Sequence, residues 1–355
     1  MVVLHIACIR NDPFAGVSVV VPHHVTAQGN FAETALLNIN GEKIDGVRQL
    51  SYEAPFRLET LPAPFCTPDL VVFHECYRFP YLAIAKALKK KKVPYIILPH
   101  GELTKEAQQK KHLKKVVANL LLFNRFIKNA VALQCLSERE EKQTRFGKKR
   151  FIGTNGIPIP EKEKQDFSQD GIRFVYIGRL DIYPKGLDIL VRAVKEAKLF
   201  LLRNHCKIDI YGPDILGRGA ELRKLIEETD TGDMIGVFPP VVAREKEAAL
   251  LDADVFIQTS RSEGMPMGVL EALAYGIPCA LTEGTTLAAF VRDHGAGFAS
   301  ETTTEGVARM FEEIVRRKDE LPEMPRRAKD MAMKCFSWDR VAEGTVEKYK
   351  ELIAK

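Results

Sequence analysis

The stretch from residue 254 to residue 278 constrains the fold of this chain more than any other. The apolar run Asp254–Gln258 is typical of a buried strand, and a short polar turn containing glycine links it to a helical pattern. We expect the helix to begin near Met265–Met267, with Pro266 in its first turn, and to end at Gly276. The first backbone N–H groups of such a helix lack internal partners, so they can bind a phosphate or a sugar hydroxyl.

Two carboxylates flank these amide groups. Glu263 lies in the turn, and Glu271 lies in the second turn of the predicted helix. Helical spacing places Glu271 on one stripe with Met267 and Ala274, so we expect it to face packed protein or a cleft and not open water. Such a carboxylate needs a partner. It can make a helix-dipole contact or a buried hydrogen bond to backbone, or it can accept hydrogen bonds from the hydroxyls of a ligand.

A second strand–loop–helix segment carries cations at the corresponding place. Arg173–Gly178 is a predicted strand, the loop after it contains Arg179 and Lys185, and Leu187–Leu199 is a predicted helix. Fixed cations beside the free amides of a helix start suit a diphosphate whose negative charge grows as its bond to a sugar breaks. The alternative is a solvated loop with ordinary charges.

Short apolar runs alternate with helical patterns along the rest of the chain, which is typical of parallel strands covered by helices. The remaining predicted strands are Val2–Cys8, Thr34–Ile39, Leu70–Phe73, Pro94–Leu98, Val131–Gln134, Lys207–Gly212, Met234–Pro239 and Cys279–Thr282. A chain of 355 residues is long enough for two such domains.

Two histidines lie at the carboxyl ends of predicted strands, where open α/β sheets bind their ligands. His74 directly follows Leu70–Phe73, and His100 follows Pro94–Leu98 within a Pro-His-Gly sequence. A lone histidine is more often structural than functional. Both interpretations therefore stay open for His74, whereas the loop context of His100 favours a function.

These motifs together resemble the GT4 family of retaining glycosyltransferases, which have the GT-B fold. The resemblance lies in Glu263-x7-Glu271, in Gly178-Arg-Leu with Lys185-Gly186, in Pro99-His100-Gly101, and in Phe336-Ser-Trp338. It covers nearly the whole chain and is densest between residues 178 and 284. It implies an α/β protein with two doubly wound Rossmann-like domains that face each other across a cleft.

The resemblance also implies roles for individual residues. Glu271 matches the carboxylate that holds the ribose hydroxyls, and Glu263 matches the one that faces the transferred sugar. Arg179 and Lys185 match the cations that hold the leaving diphosphate, and His100 matches a histidine beneath the transferred sugar. Backbone contacts to sugar hydroxyls and phosphate are expected at Gly264, Met265, Pro266 and Met267. We therefore expect His100, Glu263, Arg179 and Lys185 to take part in catalysis.

Three further positions are expected in the nucleotide-sugar site by the same resemblance. Gly16 lies in the first loop, where the family carries two glycines and this chain has Ala15 before it. Gly212 ends a predicted strand, and Phe238 begins a loop that in the family contacts the nucleotide base. Since those contacts use backbone groups, the sequence does not identify the base.

The domain boundaries follow from composition and from the resemblance. We expect an acceptor-binding domain over residues 1–157, a polar linker with a hinge over 158–171, and a nucleotide-sugar-binding domain over 172–335. The last helix, within residues 336–355, is expected to cross back to the N-terminal domain.

The predicted activity is retaining transfer of a hexose or N-acetylhexosamine to a glycan or lipid-linked acceptor in cell-envelope polysaccharide synthesis. The donor is expected to be a nucleotide-diphosphate sugar, with a UDP-sugar favoured. No cofactor is expected. No metal is expected either, because no Asp-x-Asp sequence lies at the end of a predicted strand: Asp252-Ala-Asp254 precedes its strand. Two alternatives stay open. One is a sugar-nucleotide epimerase or hydrolase, and the other is a non-catalytic partner subunit, which Ala15 in place of a glycine would suit. A dehydrogenase is disfavoured because no dinucleotide-binding fingerprint is present.

Positive charge is concentrated between Lys86 and Lys115, within a net charge of +5. A solvated helix face or an anionic membrane surface can explain it, whereas nucleic acid is not expected because no aromatic residues interleave with the lysines. A basic helix predicted over Lys105–Lys128 would suit peripheral membrane contact. No membrane-spanning run and no signal peptide are expected, and seven scattered cysteines predict a reducing cytoplasm.

Overall fold

A computed structural model describes residues 1–109, 119–147, 149–215 and 217–354. The chain divides into two compact units, Met1–Gly156 with Trp338–Lys355, and Ile157–Ser337. Each unit contains one all-parallel β-sheet with helices packed on it. The predicted pair of Rossmann-like domains is therefore confirmed.

The first unit has a seven-stranded sheet in the order β3-β2-β1-β4-β5-β6-β7. Its strands are β1 (Val2–Ala7), β2 (Glu33–Asn38), β3 (Gln49–Leu50), β4 (Leu70–His74), β5 (Tyr95–Leu98), β6 (Ala132–Cys135) and β7 (Arg150–Ile152). Its described helices are α1 (Gly16–Gln28), α2 (Phe79–Lys90), α3 (Lys105–Gln109), α4 (Asn124–Asn129), α5 (Glu138–Gln143) and α15 (Trp338–Ile353), with a 3-10 turn at Leu58–Thr60 and a π-helical turn at Asn119–Phe123.

The second unit has a six-stranded sheet in the order β10-β9-β8-β11-β12-β13. Its strands are β8 (Arg173–Ile177), β9 (Lys207–Tyr211), β10 (Ile235–Phe238), β11 (Val255–Gln258), β12 (Cys279–Thr282) and β13 (Gly297–Ser300). Its described helices are α6 (Ile182–Lys185), α7 (Leu187–Glu196), α8 (Lys198–Arg203), α9 (Gly219–Glu228), α10 (Ala243–Asp252), α11 (Met267–Ala274), α12 (Ala288–Asp293), α13 (Thr304–Arg316) and α14 (Met324–Met331), with a 3-10 segment at Lys318–Glu323 and a π-helical turn at Ala332–Phe336.

Each sheet has a point where the chain changes the direction in which it adds strands. In the first unit this point lies between β1 and β4, and in the second it lies between β8 and β11. The loops that follow two such strands diverge and leave a crevice at their carboxyl ends, where open α/β sheets bind ligands. The topology alone therefore selects the segments after β8 and β11 as the candidate ligand site of the second unit.

The central strands are buried along their whole length, as their apolar sequences predict. All five residues of β4 and all four of β11 are buried. The C-terminal helix α15 packs in the first unit, where the Trp338 ring lies 4.9 Å from His24, edge to face. Gly156 permits this approach, because a Cβ atom there would lie 2.6 Å from the same indole ring.

Residues 158–171, the predicted polar linker, belong to the second compact unit. They contain no helix or strand, but they pack on the second unit. The side chain of Lys164 is only 2% exposed, and its Nζ lies 3.5 Å from Oδ1 of Asp254. Lys164 also donates hydrogen bonds to Leu251 O and, from its backbone, to Tyr275 O. A buried ammonium needs such partners, and a run of charged residues does not reveal which member is buried.

Two predicted helices also differ in extent. The predicted helix Leu187–Leu199 is interrupted at Ala197, so that α7 and α8 follow each other. The predicted helix Lys105–Lys128 lies partly on residues 110–118, outside the described residues; the described parts are α3, the π-helical turn and the start of α4. In the described part of the chain, no helix is long and apolar enough to cross a membrane.

Candidate functional site

The structure brings the predicted cations and carboxylates to neighbouring strands of the second unit. Arg179 and Lys185 follow β8, whereas Glu263 and Glu271 follow β11. These strands pair directly and flank the point where the strand order reverses. Lys185 Nζ forms an ion pair with Oε1 of Glu263, and the two side chains are 17% and 15% exposed. Sequence patterns placed these two residues in separate motifs and gave no sign of their contact.

A backbone contact fixes the loop that carries Lys185. Gly186 has a φ of +63°, and a Cβ atom there would lie 1.9 Å from the carbonyl oxygen of Thr259. The Thr259 hydroxyl donates a hydrogen bond of 2.8 Å to Gly186 O. Only glycine satisfies both the left-handed conformation and this close approach. Gly186 is thus required for the loop that carries Lys185 to reach the end of β11.

The turn that carries Glu263 is also held at several points. The Ser260 hydroxyl donates a hydrogen bond of 3.1 Å to Glu263 Oε1. The Glu263 backbone N–H donates to Gly284 O at 3.0 Å, and its carbonyl accepts a hydrogen bond from the Thr286 hydroxyl. The carboxylate therefore has a defined orientation before any ligand binds.

Arg261 connects the loop after β8 with the turn after β11. The sequence did not predict this role. Its guanidinium binds both carboxylate oxygens of Asp188, at 2.6 and 2.7 Å, and lies 4.2 Å above the Tyr183 ring. Its backbone N–H donates to Pro184 O at 3.0 Å. Hydrogen bonding to Asp188 raises the pKa of Arg261. Bidentate pairing of this kind fixes geometry as well as charge, so Arg261 holds the Lys185 loop against the Glu263 turn.

Arg179 is a cation for which the described part of the chain provides no counter-ion. Its side chain is exposed and makes no ion pair or hydrogen bond with any described residue. Its carbonyl accepts a hydrogen bond of 3.0 Å from the buried Tyr176 hydroxyl, which fixes the backbone while the side chain stays available. Burial raises the pKa of Tyr176, so the phenol is neutral and donates.

Helix α11 begins at Met267, with Pro266 as its N-cap, which confirms the predicted start. No side chain caps it, and no acidic residue lies in its first turn. Gly264 is exposed, with no atom within 4 Å of the position of a Cβ atom. Met265 and Met267 are half-buried against the adjacent apolar core. The turn thus presents backbone to solvent while its apolar side chains pack inward.

Glu271 is half-buried, as the helical stripe predicts, and its carboxylate pairs with Lys246 of α10. The two side chains are 24% and 28% exposed. Beyond this ammonium, the buried Oε2 of Glu271 has no hydrogen-bond partner among the described residues. The carboxylate therefore has a protein partner and also capacity to accept a further hydrogen bond. Lys246 could not be foreseen, because the charged residues of its helix, Arg244, Glu245, Lys246 and Glu247, are typical of a solvated surface.

The structure shows different packing and exposure at the predicted positions Gly212, Phe238 and Gly16. A Cβ atom at Gly212 would lie 1.8 Å from Gly178 O, so packing of two strand ends already explains this glycine. The Phe238 ring is 40% exposed and stacks on Tyr211 at 5.0 Å. Gly16 is the first residue of α1, and the space where its Cβ would lie is open. Of the three, Phe238 presents a side-chain surface to solvent.

The loop that carries His100 lies in the first unit and is anchored by Glu140. His100 has a φ of +48°, and Gly101 follows with a φ of +84°. The Gly101 N–H donates a hydrogen bond of 2.7 Å to one carboxylate oxygen of Glu140, and the Leu136 N–H donates one of 2.7 Å to the other. Burial raises the pKa of Glu140, which is 2% exposed. The sequence contained no signal for this anchor.

His74 and His100 are in direct contact, at 3.1 Å between His74 Nδ1 and His100 Nε2. Burial, followed by the neighbouring His24, lowers the pKa of His100 to about 3. His74 is fully buried, and both of its ring nitrogens have histidine partners. These contacts favour the structural interpretation of His74, whereas His100 is only half-buried.

No group of three or more His, Cys, Asp or Glu side chains in the described ranges is arranged to hold a metal ion. The absence of a metal requirement stays a prediction. Asp254, part of the Asp-x-Asp sequence that was not expected to bind a metal, accepts hydrogen bonds from the Ser168 and Arg173 backbone N–H groups at 2.9 and 2.8 Å.

Comparison with known proteins identifies the second unit. Residues 159–332 match the model of the family described as glycosyl transferases group 1. This segment belongs to that family. The D-inositol 3-phosphate glycosyltransferase of Paenarthrobacter aurescens (strain TC1) is 26% identical over 190 residues, which cover 52% of this chain and 45% of that protein. The match thus spans slightly less than half the length of that relative.

Solved structures extend the similarity over the whole chain. Sucrose-phosphate synthase from Thermosynechococcus elongatus superposes with a TM-score of 0.73 at 16% identity, covering 100% of both chains. The Anabaena protein HepE, solved in complex with UDP and glucose, superposes with a TM-score of 0.72 at 15% identity, covering 99% of this chain and 100% of that one. At these identities the likeness shows the fold, and it confirms the predicted GT-B class.

Proposed function

We propose that this protein is a retaining, metal-independent glycosyltransferase that transfers a hexose or N-acetylhexosamine from a nucleotide-diphosphate sugar. One observation carries the proposal: the loop after β8 carries Arg179, which has no ion-pair partner among the described residues, and Lys185, which pairs with Glu263 beyond the end of β11. The membership of residues 159–332 in the glycosyl transferases group 1 family supports glycosyl transfer.

The two cations suit a diphosphate leaving group. Arg179 is exposed and has no counter-ion within the described ranges, so it can bind the ligand without first breaking an ion pair. Lys185 can exchange the Glu263 carboxylate for a phosphate oxygen, and both partners are already largely desolvated. As the bond between the sugar C1 and the phosphate oxygen breaks, negative charge grows on that oxygen, and fixed cations stabilise it. This stabilisation requires no metal.

The proposed chemistry occurs on one face of the sugar. The acceptor hydroxyl attacks C1 from the side on which the diphosphate leaves, and its proton passes to the departing phosphate oxygen. No protein nucleophile is needed, and the anomeric configuration is retained. Glu263, released from Lys185, accepts hydrogen bonds from the transferred sugar. Glu271, oriented by Lys246, accepts them from the ribose.

A UDP-sugar is the proposed donor. The HepE protein, of the same fold, was solved with UDP and glucose, and this supports a uridine nucleotide. The Phe238 ring, 40% exposed and stacked on Tyr211, offers an aromatic surface at the end of β10 for the base. No separate cofactor is proposed, because the nucleotide sugar is a co-substrate.

The proposed acceptor is a glycan or a lipid-linked saccharide of the cell envelope, and the enzyme would work in the cytoplasm at the inner face of the membrane. Phe79, at the start of α2, is 70% exposed, and Leu122 is 41% exposed. Exposed lysines, among them Lys89 and Lys90, end the same helix. Exposed apolar side chains together with lysines at the end of a helix suit an anionic membrane surface. Sedimentation with anionic and with zwitterionic vesicles tests this, and equal recovery with both would contradict it.

The activity is tested with purified protein, EDTA, and UDP-glucose, UDP-galactose or UDP-N-acetylglucosamine, with and without a lipid-linked saccharide fraction. Release of UDP that depends on the acceptor, with a product of unchanged anomeric configuration by NMR, is the expected result. Conversion of the donor without an acceptor would instead identify a hydrolase or an epimerase. Nucleotide binding without any turnover would point to a non-catalytic partner subunit.

A further inference from the structure

The proposed function requires the Lys185–Glu263 ion pair to open when the donor binds, because a diphosphate oxygen takes the place of the carboxylate beside Lys185. The pair joins the loop after β8 to the turn after β11, so its opening removes one contact between these two segments. Lys185 must nevertheless stay in place, since a cation stabilises the growing charge of the leaving group best from a fixed position. Other contacts must therefore hold the loop.

Arg261 supplies such contacts to three residues beyond β8. Its Nη1 donates a hydrogen bond of 2.7 Å to Tyr183 O, and its backbone N–H donates one of 3.0 Å to Pro184 O. Its guanidinium also lies 4.2 Å above the Tyr183 ring and binds both carboxylate oxygens of Asp188, in the first turn of α7. None of these contacts uses the Lys185 ammonium, so they persist when the ion pair opens.

The turn on the other side is anchored in the same manner. The Glu263 backbone N–H donates to Gly284 O at 3.0 Å, and the Glu263 carbonyl accepts a hydrogen bond from the Thr286 hydroxyl. These bonds involve the backbone of Glu263 and not its carboxylate. The carboxylate can therefore leave Lys185 without freeing the turn, and Arg261 provides the equivalent anchor for the lysine.

The guanidinium of Arg261 is already committed to protein groups. Three hydrogen bonds use its Nη1 and Nη2 groups, and the Asp188 carboxylate balances its charge at 2.6 and 2.7 Å. Its side chain is 26% exposed. Arg179, in contrast, is exposed and has no counter-ion within the described ranges. Arg179 and Lys185 are thus suited to bind a diphosphate, whereas Arg261 is suited to hold the loop.

We propose that Arg261, through Asp188 and Tyr183, is a positioning residue that keeps Lys185 in place while the Lys185–Glu263 ion pair is exchanged for the diphosphate of the donor. The identity of this ligand rests on the proposed function. Arg261 itself does not contact the ligand. Without the guanidinium the loop moves more freely once the ion pair opens, and a misplaced cation stabilises the leaving group less.

Arg261→Gln removes the guanidinium. Release of UDP from UDP-glucose, UDP-galactose and UDP-N-acetylglucosamine, with the lipid-linked saccharide fraction as acceptor, gives kcat and KM. We expect kcat to fall by about 10- to 100-fold, the effect of a small misplacement of a catalytic group, while KM changes less than kcat. An unchanged kcat in the folded variant would overturn the proposal.

Asp188→Asn distinguishes positioning from direct binding of the ligand by Arg261. A positioning role predicts that this variant also lowers kcat, and that the double variant is no worse than Arg261→Gln alone, since both changes break one contact. If Arg261 bound the diphosphate, the loss of its counter-ion would free it, and kcat would stay the same or rise. That result would overturn the proposal. Asp188→Asn also provides the test if Arg261→Gln does not fold.

Arg261→Lys separates the shape of the side chain from its charge. A lysine keeps the positive charge but cannot bind two carboxylate oxygens in one plane or stack on the Tyr183 ring as a guanidinium does. We therefore expect it to lose nearly as much activity as Arg261→Gln. Recovery of most of the activity would show that charge alone is needed and would contradict the positioning role.

Arg317→Gln is the matched control in the same unit. Arg317 also binds both carboxylate oxygens of its partner, Glu320, at 3.0 and 2.8 Å, and lies 5.1 Å above the Phe298 ring. It makes no contact with the loop after β8 among the described residues. Its replacement should leave kcat and KM unchanged. An equal loss of kcat in Arg317→Gln and Arg261→Gln would contradict a specific role of Arg261.

Hydrogen exchange followed by mass spectrometry tests the Arg261 contacts without any ligand. Peptides that cover residues 182–190 should exchange faster in Arg261→Gln than in the unaltered protein, and at the unaltered rate in Arg317→Gln. Equal exchange in all three proteins would overturn the proposal. If the unaltered protein binds no UDP, the proposed function fails, whereas the exchange rates still show whether Arg261 holds the loop.

Discussion

The first unit should lose stability when the pH falls from 7 to 5, because it buries neutral histidines. Burial lowers the pKa of His5 and His100 to about 3 and that of His24 to about 4. In the unfolded chain the same side chains have a pKa near 6.5. Between these values the unfolded state binds protons that the folded state excludes, so stability falls as the pH falls.

The size of the effect follows from the fraction protonated in each state. Between pH 7 and pH 5 an unfolded histidine changes from about one-quarter to almost fully protonated, whereas the folded side chains stay neutral. Each buried histidine then lowers the free energy of unfolding by about 2 kcal/mol. His5, His24 and His100 together lower it by about 6 kcal/mol. Burial raises the pKa of Glu102 and Glu140, and these carboxyls act in the opposite sense. A net loss of several kcal/mol is expected, a large part of the stability of a domain.

The assay uses the single tryptophan of the chain, which reports on the first unit. Trp338 is 8% exposed and lies against His24. Urea unfolding followed by its fluorescence at pH 7 and at pH 5, at equal ionic strength, gives the change in unfolding free energy. His24→Gln should reduce that change by about 2 kcal/mol. His294→Gln, at an exposed site in the second unit, should leave it unchanged.

Equal unfolding free energies at the two pH values would refute the assignment of neutral buried histidines. An equal effect of His24→Gln and His294→Gln on the pH dependence of stability would also refute it. That result would mean that groups other than the buried histidines cause the pH dependence.

Three predictions concern the second unit. Lys185→Ala should lose most of the transfer activity while its melting temperature changes little, because the lysine lies on a loop; donor turnover and thermal unfolding measure this. Glu271→Ala should weaken UDP binding by about tenfold, the loss of a hydrogen bond to a charged group, as measured by calorimetry. Gly186→Ala should destabilise by at least about 1–2 kcal/mol in urea unfolding followed by circular dichroism, because of its left-handed backbone, whereas Gly264→Ala should be nearly neutral.

Each of these has an outcome that contradicts it. Near-normal turnover in Lys185→Ala would show that Lys185 does not bind the leaving diphosphate. An unchanged dissociation constant in Glu271→Ala would leave Glu271 as a structural partner of Lys246. Equal stabilities of the two glycine variants would mean that the contact with Thr259 O is not maintained in solution.

The sequence predicted the elements that depend on local patterns. The apolar runs became buried parallel strands, and helix α11 starts at Met267, within the predicted range. Local patterns suffice there because a strand buried on both faces needs a continuous apolar run, and a helix start favours particular residues such as proline. The short edge strands β3 and β13 were missed, because Gln49–Leu50 is too short to show a pattern and Gly297–Ser300 contains a glycine and a serine.

Contacts between distant segments could not be predicted. The Lys185–Glu263 pair joins residues 78 positions apart, and the clamp of Arg261 on Asp188 spans 73. The contact of His74 with His100 joins residues at the ends of two different strands, and each residue alone resembles an ordinary buried histidine. The burial of Lys164 against Asp254 was not predicted, because a run of charged residues does not show which member is buried. Such pairings depend on the assembled sheet and leave no periodic signal.

The central claim is that the second unit binds a nucleoside diphosphate through Arg179 and Lys185 without a metal. Calorimetric titration of the protein with UDP, GDP and ADP in EDTA, and then with magnesium, tests it most directly. The account predicts that one diphosphate, UDP, binds in EDTA, that magnesium adds little, and that Lys185→Ala weakens this binding. Binding of none of the three, or binding only with magnesium, would contradict it.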